Sequence, residues 1–152
     1  MEITTSAYPP PFQEAEWIKM VFLLSDTQNW LNELVAGTYL QVPIGNKKKL
    51  FHKTYYLTVN ALAHILEKHY YKINRYPEAS KFTIPVSEIL SYLRDAFPYP
   101  VNLTAGTINM ERILDAGKII GFDRNQYPTS IITIITAPEG RIITAYPGKK
   151  KF

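Results

Sequence analysis

The run TSIITIITAPEGRIITAY, residues 129–146, limits the fold more than any other stretch of this 152-residue chain. Two β-branched segments flank Ala137–Gly140, the pattern of two strands joined by a tight loop. Pairing Thr136 with Arg141 across that loop sets Thr133 opposite Thr144. Strand alternation then gives Ile142, Thr144 and Tyr146 one face, shared with Thr133, and gives Arg141, Ile143 and Ala145 the other. A one-residue slip would undo the arrangement. Two hydroxyls thus project side by side just before the chain turns at Pro147-Gly148.

Upstream the period changes. After a polyproline-like AYPPPFQ lead-in, EAEWIKMVFLLSDTQNWLNELVAG reads as helix, with Gly37 as C-cap and Ser25-Asp26 as a point where it divides. TYLQVPI reads as a short strand, GNKKKLFHK as a basic loop, and TYYLTV as either a strand or an extended entry to the next helix. In VNALAHILEKHYYK, Leu62, Ile65, Leu66 and His69 fall on one face; Asn60, His64, Glu67, Lys68 and Tyr71 fall on the other. INRYPEASKF is a loop, and TIPVSEILSYLRDAF a further helix with Thr83 as N-cap and Pro85 in its first turn. VNLTAGTINMERILDAGKIIGFDR holds two short strand candidates. Helices first and strands last define an α+β fold, N-terminal helices packed on a C-terminal antiparallel β-sheet meander. The expected organisation is a single domain, 1–152, with a helical N-terminal extension over 1–50 and a core over 54–148.

Composition narrows the chemistry. With 46% hydrophobic residues the chain can bury a core, and its net charge of +4 favours acidic partners such as nucleic acid, an anionic surface or an acidic protein. It has no cysteine, so disulfides, thiolate zinc sites and cysteine nucleophiles are excluded. No apolar run approaches the ~20 residues of a membrane span, and the first residues lack the basic and apolar regions of a signal peptide.

Candidate functional groups are few. His64 and His69, five apart, lack the i, i+4 spacing of a helical zinc pair, and each reads as either structural or an acid/base group. Lys68, Lys72, Arg75 and Lys81 alternate with Tyr70, Tyr71, Tyr76 and Phe82, a mixture suited to phosphates and unpaired bases, or to an ordinary solvated face. Glu67, Asp95, Glu111, Asp115, Asp123 and Glu139 are scattered, with no Asp-x-Asp or Glu-x-x-His pattern. No metal or cofactor is expected.

LAHILEKHYYKINR, EASKF, GFDR…TSIITIIT and above all GRIITAYPG resemble the metal-independent ribonuclease toxins of the barnase, EndoU, colicin and RelE (BECR) superfamily. These include the C-terminal toxin domains of contact-dependent inhibition and other systems of interbacterial competition. The resemblance spans 54–148 and leaves 1–50 unmatched. It implies an enzyme, an endoribonuclease that attacks through the RNA's own 2′-hydroxyl, leaves 2′,3′-cyclic phosphate and 5′-hydroxyl ends, and takes RNA, tRNA included, as substrate. It implies that Thr144 and Tyr146 are the active-site Thr-x-Tyr pair, that His69 or His64 is the acid/base, and that Arg75, eleven residues beyond His64, contacts the phosphate. Lys68, Lys72 and Arg141 would bind RNA. The ribonuclease-A-like branch carries His-Val-Gly before its helix, whereas this chain has His-Ile-Leu within one. Face analysis favours His69; branch spacing favours His64. The resemblance further implies an acidic cognate immunity protein or antitoxin, action in a bacterial cytoplasm, delivery within a larger effector, and no membrane insertion. The rival expectation is a non-catalytic basic module of RNA-binding, adaptor or immunity type. A third, membrane-surface binding through Lys47–Lys49 and Lys149–Lys151, lacks an amphipathic helix to support it.

Overall fold

The structure, a computed structural model, describes residues 13–38, 55–104 and 106–149. The strand expected in TYLQVPI and the basic GNKKKLFHK segment lie outside the described residues. Helix α1 spans Glu14–Thr38 and α2 Val59–His69; strand β1, Lys81–Phe82, precedes α3, Val86–Asp95. Six strands follow: β2 Asn102–Leu103, β3 Met110–Asp115, β4 Gly121–Phe122, β5 Pro128–Thr129, β6 Ile131–Thr136 and β7 Ile142–Pro147. The fold is α+β, helices first and antiparallel strands last. The strands do not form one meander. They make a four-stranded sheet in the order β2-β3-β6-β7, and β4-β5 leaves it to pair with β1 in a second sheet.

The helices depart from the expected boundaries for identifiable reasons. α1 continues through Ser25-Asp26 and Gly37 without a break. Ser25 sits on its buried face, where its hydroxyl donates to Asn60 at 2.7 Å. α2 begins where the Thr58 hydroxyl accepts the Ala61 N–H at 3.1 Å. It stops at His69, not Lys72, because Tyr70 turns extended and bridges Phe82 of β1. The Lys81 ammonium donates to the carbonyl of Lys68 at 2.8 Å and so satisfies the exposed end of α2. Thr83 does not cap α3: it lies two residues before the capping position, and its N–H donates to the Ile120 carbonyl. Pro85 takes the capping position without a side-chain bond, and the free Val86 N–H donates to Glu14 of α1 at 3.0 Å.

That carboxylate fastens α1 to the body. It also accepts the Tyr70 hydroxyl and pairs with Lys72 at 3.6 Å. Burial alone would raise its pKa, but these donors and the Lys72 charge hold it below the ordinary value. Ile18 and Val21 of α1 join the same core as Ile65, Leu66, Tyr70, Phe82, Ile89, Ile132, Ile134 and Ala145. The N-terminal helix therefore packs as part of one domain's core. Each large side chain buried there contributes about 1.5–3 kcal/mol.

The β6–β7 register positions the site. Thr133 pairs with Tyr146, Ile134 with Ala145 and Ile135 with Thr144. This is a two-residue shift from the expected pairing, and it keeps Thr133 on the face of Thr144 and Tyr146 because the side-chain period is two. Between Ile135 and Thr136 the ladder slips, and Thr136 pairs with Ile142. This β-bulge places one extra residue, Ile143, in β7. Ile142 consequently turns to the face of Ile134 and enters the core, so Ile142 does not share a face with Thr144 and Tyr146.

Candidate active site

One face of the four-stranded sheet is buried: Leu114, Ile132, Ile134, Ala145 and Ile142 pack there, with the Arg112 guanidinium lying over the Tyr55 ring and donating to the Thr136 hydroxyl at 3.4 Å. Its other face carries Asn109, Ile135, Thr144 and Tyr146, which with Thr104 line a cleft of about 530 Å³. Strand β7 is an edge strand, and α2 packs against it. The helix reaches round that edge, contributing Leu62, Ile65 and Leu66 to the core and His64, Lys68 and His69 to the cleft. Both histidines therefore line one cavity although they occupy different helix faces.

Their environments differ. His64 is exposed, whereas His69 is only 6% accessible. His69 Nδ1 lies 2.9 Å from the Ser80 carbonyl and 3.2 Å from its hydroxyl. A carbonyl can only accept, so Nδ1 carries the proton and Nε2 is the basic nitrogen of the neutral ring. Burial lowers the His69 pKa to about 4; the Ser80 carbonyl opposes this, and the charges of Lys68, His64 and Lys81 push it further down. At neutral pH His69 is an uncharged proton acceptor. Its ring packs against Tyr146 with centroids 5.7 Å apart.

Tyr146 is half-buried, and burial together with the Glu111 charge raises its pKa above the ordinary value, against the opposing effects of Thr133 and Arg124. It stays a hydroxyl donor through the physiological range. Thr144 Oγ1 is buried with no hydrogen-bond partner among the described residues, as is Thr104 Oγ1 on the opposite wall. Unpartnered buried hydroxyls are costly to leave so, and both belong to residues lining the same cleft. Thr133 is satisfied: its hydroxyl donates to the Gly148 carbonyl at 2.6 Å and anchors the end of β7.

The cations sort differently from the expectation. Arg75 lies outside the cleft and pairs with Glu67 at 3.3 Å. Lys72 pairs with Glu14, and Arg141 lies in a separate groove beyond His64, 3.6 Å from Glu139. Lys68 does line the cleft. It is joined there by Arg124, which the sequence reading did not single out, and by Lys149, which it considered only for membrane-surface binding. Arg124 arrives on the β4–β5 turn. There Asp123 Oδ1 accepts the N–H groups of Asn125 and Tyr127 at 2.9 and 3.0 Å, and Gln126 adopts φ 69°. The turn rests against Gly148, whose φ is 86° and where an added Cβ would lie 2.8 Å from Asp123 Cβ. Only the proximity of GFDR to a turn-like NQY hinted at a presented cation. The C-terminal basic cluster that includes Lys149 was tied to a membrane surface, not to a cleft.

Among the described residues no group of three His, Asp or Glu side chains could hold a metal ion, and no described helix is long and apolar enough to cross a membrane. No protein-family model, no curated protein and no solved structure matches this chain.

Proposed function

We propose that this protein is a bacterial toxin endoribonuclease that cleaves RNA, tRNA among its substrates, by attack of the 2′-hydroxyl on the adjacent phosphate. The observation that carries the reading is the convergence of a neutral imidazole, two hydroxyls and three cations on one cleft: His69, Thr144, Tyr146, Lys68, Arg124 and Lys149. His69 Nε2 takes the 2′ proton as the 2′ oxygen bonds to phosphorus. Arg124 and Lys149, with Lys68, stabilise the charge that develops on the phosphorane oxygens. Thr144 and Tyr146 donate hydrogen bonds to those oxygens. The P–O5′ bond breaks, and His64 at the mouth of the cleft returns a proton to the departing 5′ oxygen. An anionic phosphate in the cleft offsets the nearby positive charges and strengthens His69 as a base. Because the nucleophile belongs to RNA, DNA of the same sequence binds without being cut. An acidic inhibitor protein is the partner that such an activity would call for in its producer.

The test is incubation of the purified chain with total tRNA in EDTA, followed by analysis of the RNA ends. Cleavage to 2′,3′-cyclic phosphate and 5′-hydroxyl ends is expected, and His69→Gln should lower the rate on the order of 10³-fold. Cleavage that chelation abolishes, or that survives in the His64→Gln/His69→Gln double variant, would sink the reading.

A second reading, a basic RNA-binding module without catalysis, draws on the burial of His69 and its bond to Ser80, which also suit a structural role. The two separate cleanly in a bacterium. A ribonuclease arrests growth when expressed; a binding module leaves the cells growing and their tRNA intact.

A further inference from the structure

The cleft has two chemically unlike sides. Histidine, lysine and arginine side chains gather beside β7 and the β4–β5 turn, with Glu78 the one carboxylate among the described lining residues, while the β2–β3 hairpin contributes neutral polar groups to the lining: Thr104, Thr107 and Asn109. The cavity, about 530 Å³, is far larger than a phosphate needs and falls in the ~300–1,000 Å³ range of sites that enclose a whole small molecule. A neutral wall cannot compensate a phosphate's charge. Hydroxyls and a carboxamide do match the donor and acceptor edges of a nucleobase.

The sheet register places these groups suitably. Thr144 pairs with Ile135, and Ile135 pairs with Glu111, two residues along β3 from Asn109. Asn109 thus shares the face of Thr144, two strand spacings across and two residues along, roughly 12 Å away. Ile135 lies between them and offers an apolar floor. The hairpin wall is held in shape by its own bonds: Thr104 N–H to the Asn109 carbonyl at 2.9 Å, Thr107 N–H to the Thr104 carbonyl at 3.2 Å, and Asn109 N–H to the Thr107 hydroxyl at 3.1 Å. The last bond uses the Thr107 oxygen as acceptor and leaves its O–H free to donate. Thr104 Oγ1 has no partner among the described residues.

We propose that the β2–β3 hairpin is the base-reading element of the site. Asn109, aided by Thr107 and Thr104, hydrogen-bonds the edge of the base adjoining the cleaved phosphate, while Ile135 packs against its face. The enzyme therefore selects the nucleotide at its cut. This rests on the ribonuclease reading above and adds a specificity determinant to it.

The experiment is cleavage of a random-sequence RNA pool by wild type, Asn109→Ala and Asn109→Asp, with the ends sequenced. Preferences are compared between sequences within each digest, so a loss of folded protein cancels. Wild type should favour particular bases at one position flanking the cut. Asn109→Ala should flatten that preference about tenfold, and Asn109→Asp, which replaces a donor by an acceptor, should move it toward bases offering donors. Digestion with the wild-type preference intact in both variants would overturn the base-reading role and leave the ribonuclease standing. A pool that wild type leaves uncut would overturn both.

Discussion

Lys68, Arg124 and Lys149 line the cleft, whereas Lys72, Arg75 and Arg141 lie outside it, and the two groups differ in one respect above all. Each outer cation has its own carboxylate: Glu14, Glu67 and Glu139 respectively. The cleft cations form no ion pair among the described residues. A paired charge is already compensated and contributes little to an incoming anion; an unpaired charge beside a concave wall contributes its full field. Sequence prominence did not separate the groups, because a run such as LEKHYYKINR shows its cations without showing which of them a carboxylate will pair. The carboxylates that neutralise them come from α1, from α2 and from the β6–β7 loop.

The comparison breaks most readily at Arg124. Arg124→Ala should slow RNA cleavage on the order of 100-fold, while Arg75→Ala should stay within roughly twofold of wild type. Equal losses in single-turnover assays would show that the cleft does not sort the charges.

The next largest effect is on acid stability. The folded protein holds His69 near pH 4, while the unfolded chain titrates near 6.5. Between those values the unfolded state binds more protons. The stabilisation is thus complete above about pH 6.5 and is lost as the pH falls through 4, on the order of 2–3 kcal/mol in all. Urea unfolding at pH 7 and pH 4 should show the loss, and His69→Gln should remove most of it. Lys68 is one of the charges holding His69 down, so Lys68→Gln should raise the His69 pKa whereas Lys72→Gln should not. A ring-proton NMR titration unaffected by either change would contradict the assignment.

A smaller difference should appear in salt dependence. For an uncleavable 2′-deoxy oligonucleotide, Lys149→Ala should reduce the slope of log affinity against log salt by about 0.7. Lys72→Ala should leave it unchanged. Parallel slopes for both variants, measured by fluorescence anisotropy, would place the phosphate path elsewhere.

Much of the fold was legible because periodicity is a local property. The β-branched hairpin, the apolar face of α2 and the burial of His69 against the exposure of His64 all follow from side-chain spacing. Legibility failed where distant residues decide. Nothing near Val86 shows that Glu14 will cap α3, and nothing near Tyr70 shows that Phe82 will draw it out of helix. Within the candidate site the strand and helix residues, Thr144, Tyr146, His64, His69 and Lys68, could be named in advance. Arg124 could not, since it reaches the cleft on a hairpin of the second sheet seated against Gly148.

The bulge at Ile143 has a wider meaning. It works as a half-period phase shift: alternation before it is out of step with alternation after it, so Ile142 falls in with Ala145 on the interior while Thr144 falls in with Tyr146 on the cleft. Without that bulge, a regular strand of the same sequence could not send Ile142 inward and Thr144 outward, because strict alternation locks their parity together. Interior packing and surface chemistry on β7 are thereby uncoupled, so changes at Ile142 can tune one while Thr144 and Tyr146 are left to the other. Deleting Ile143 would make Ile142 and Thr144 neighbours on a regular strand, so the bulge should disappear while each of the two keeps its own face.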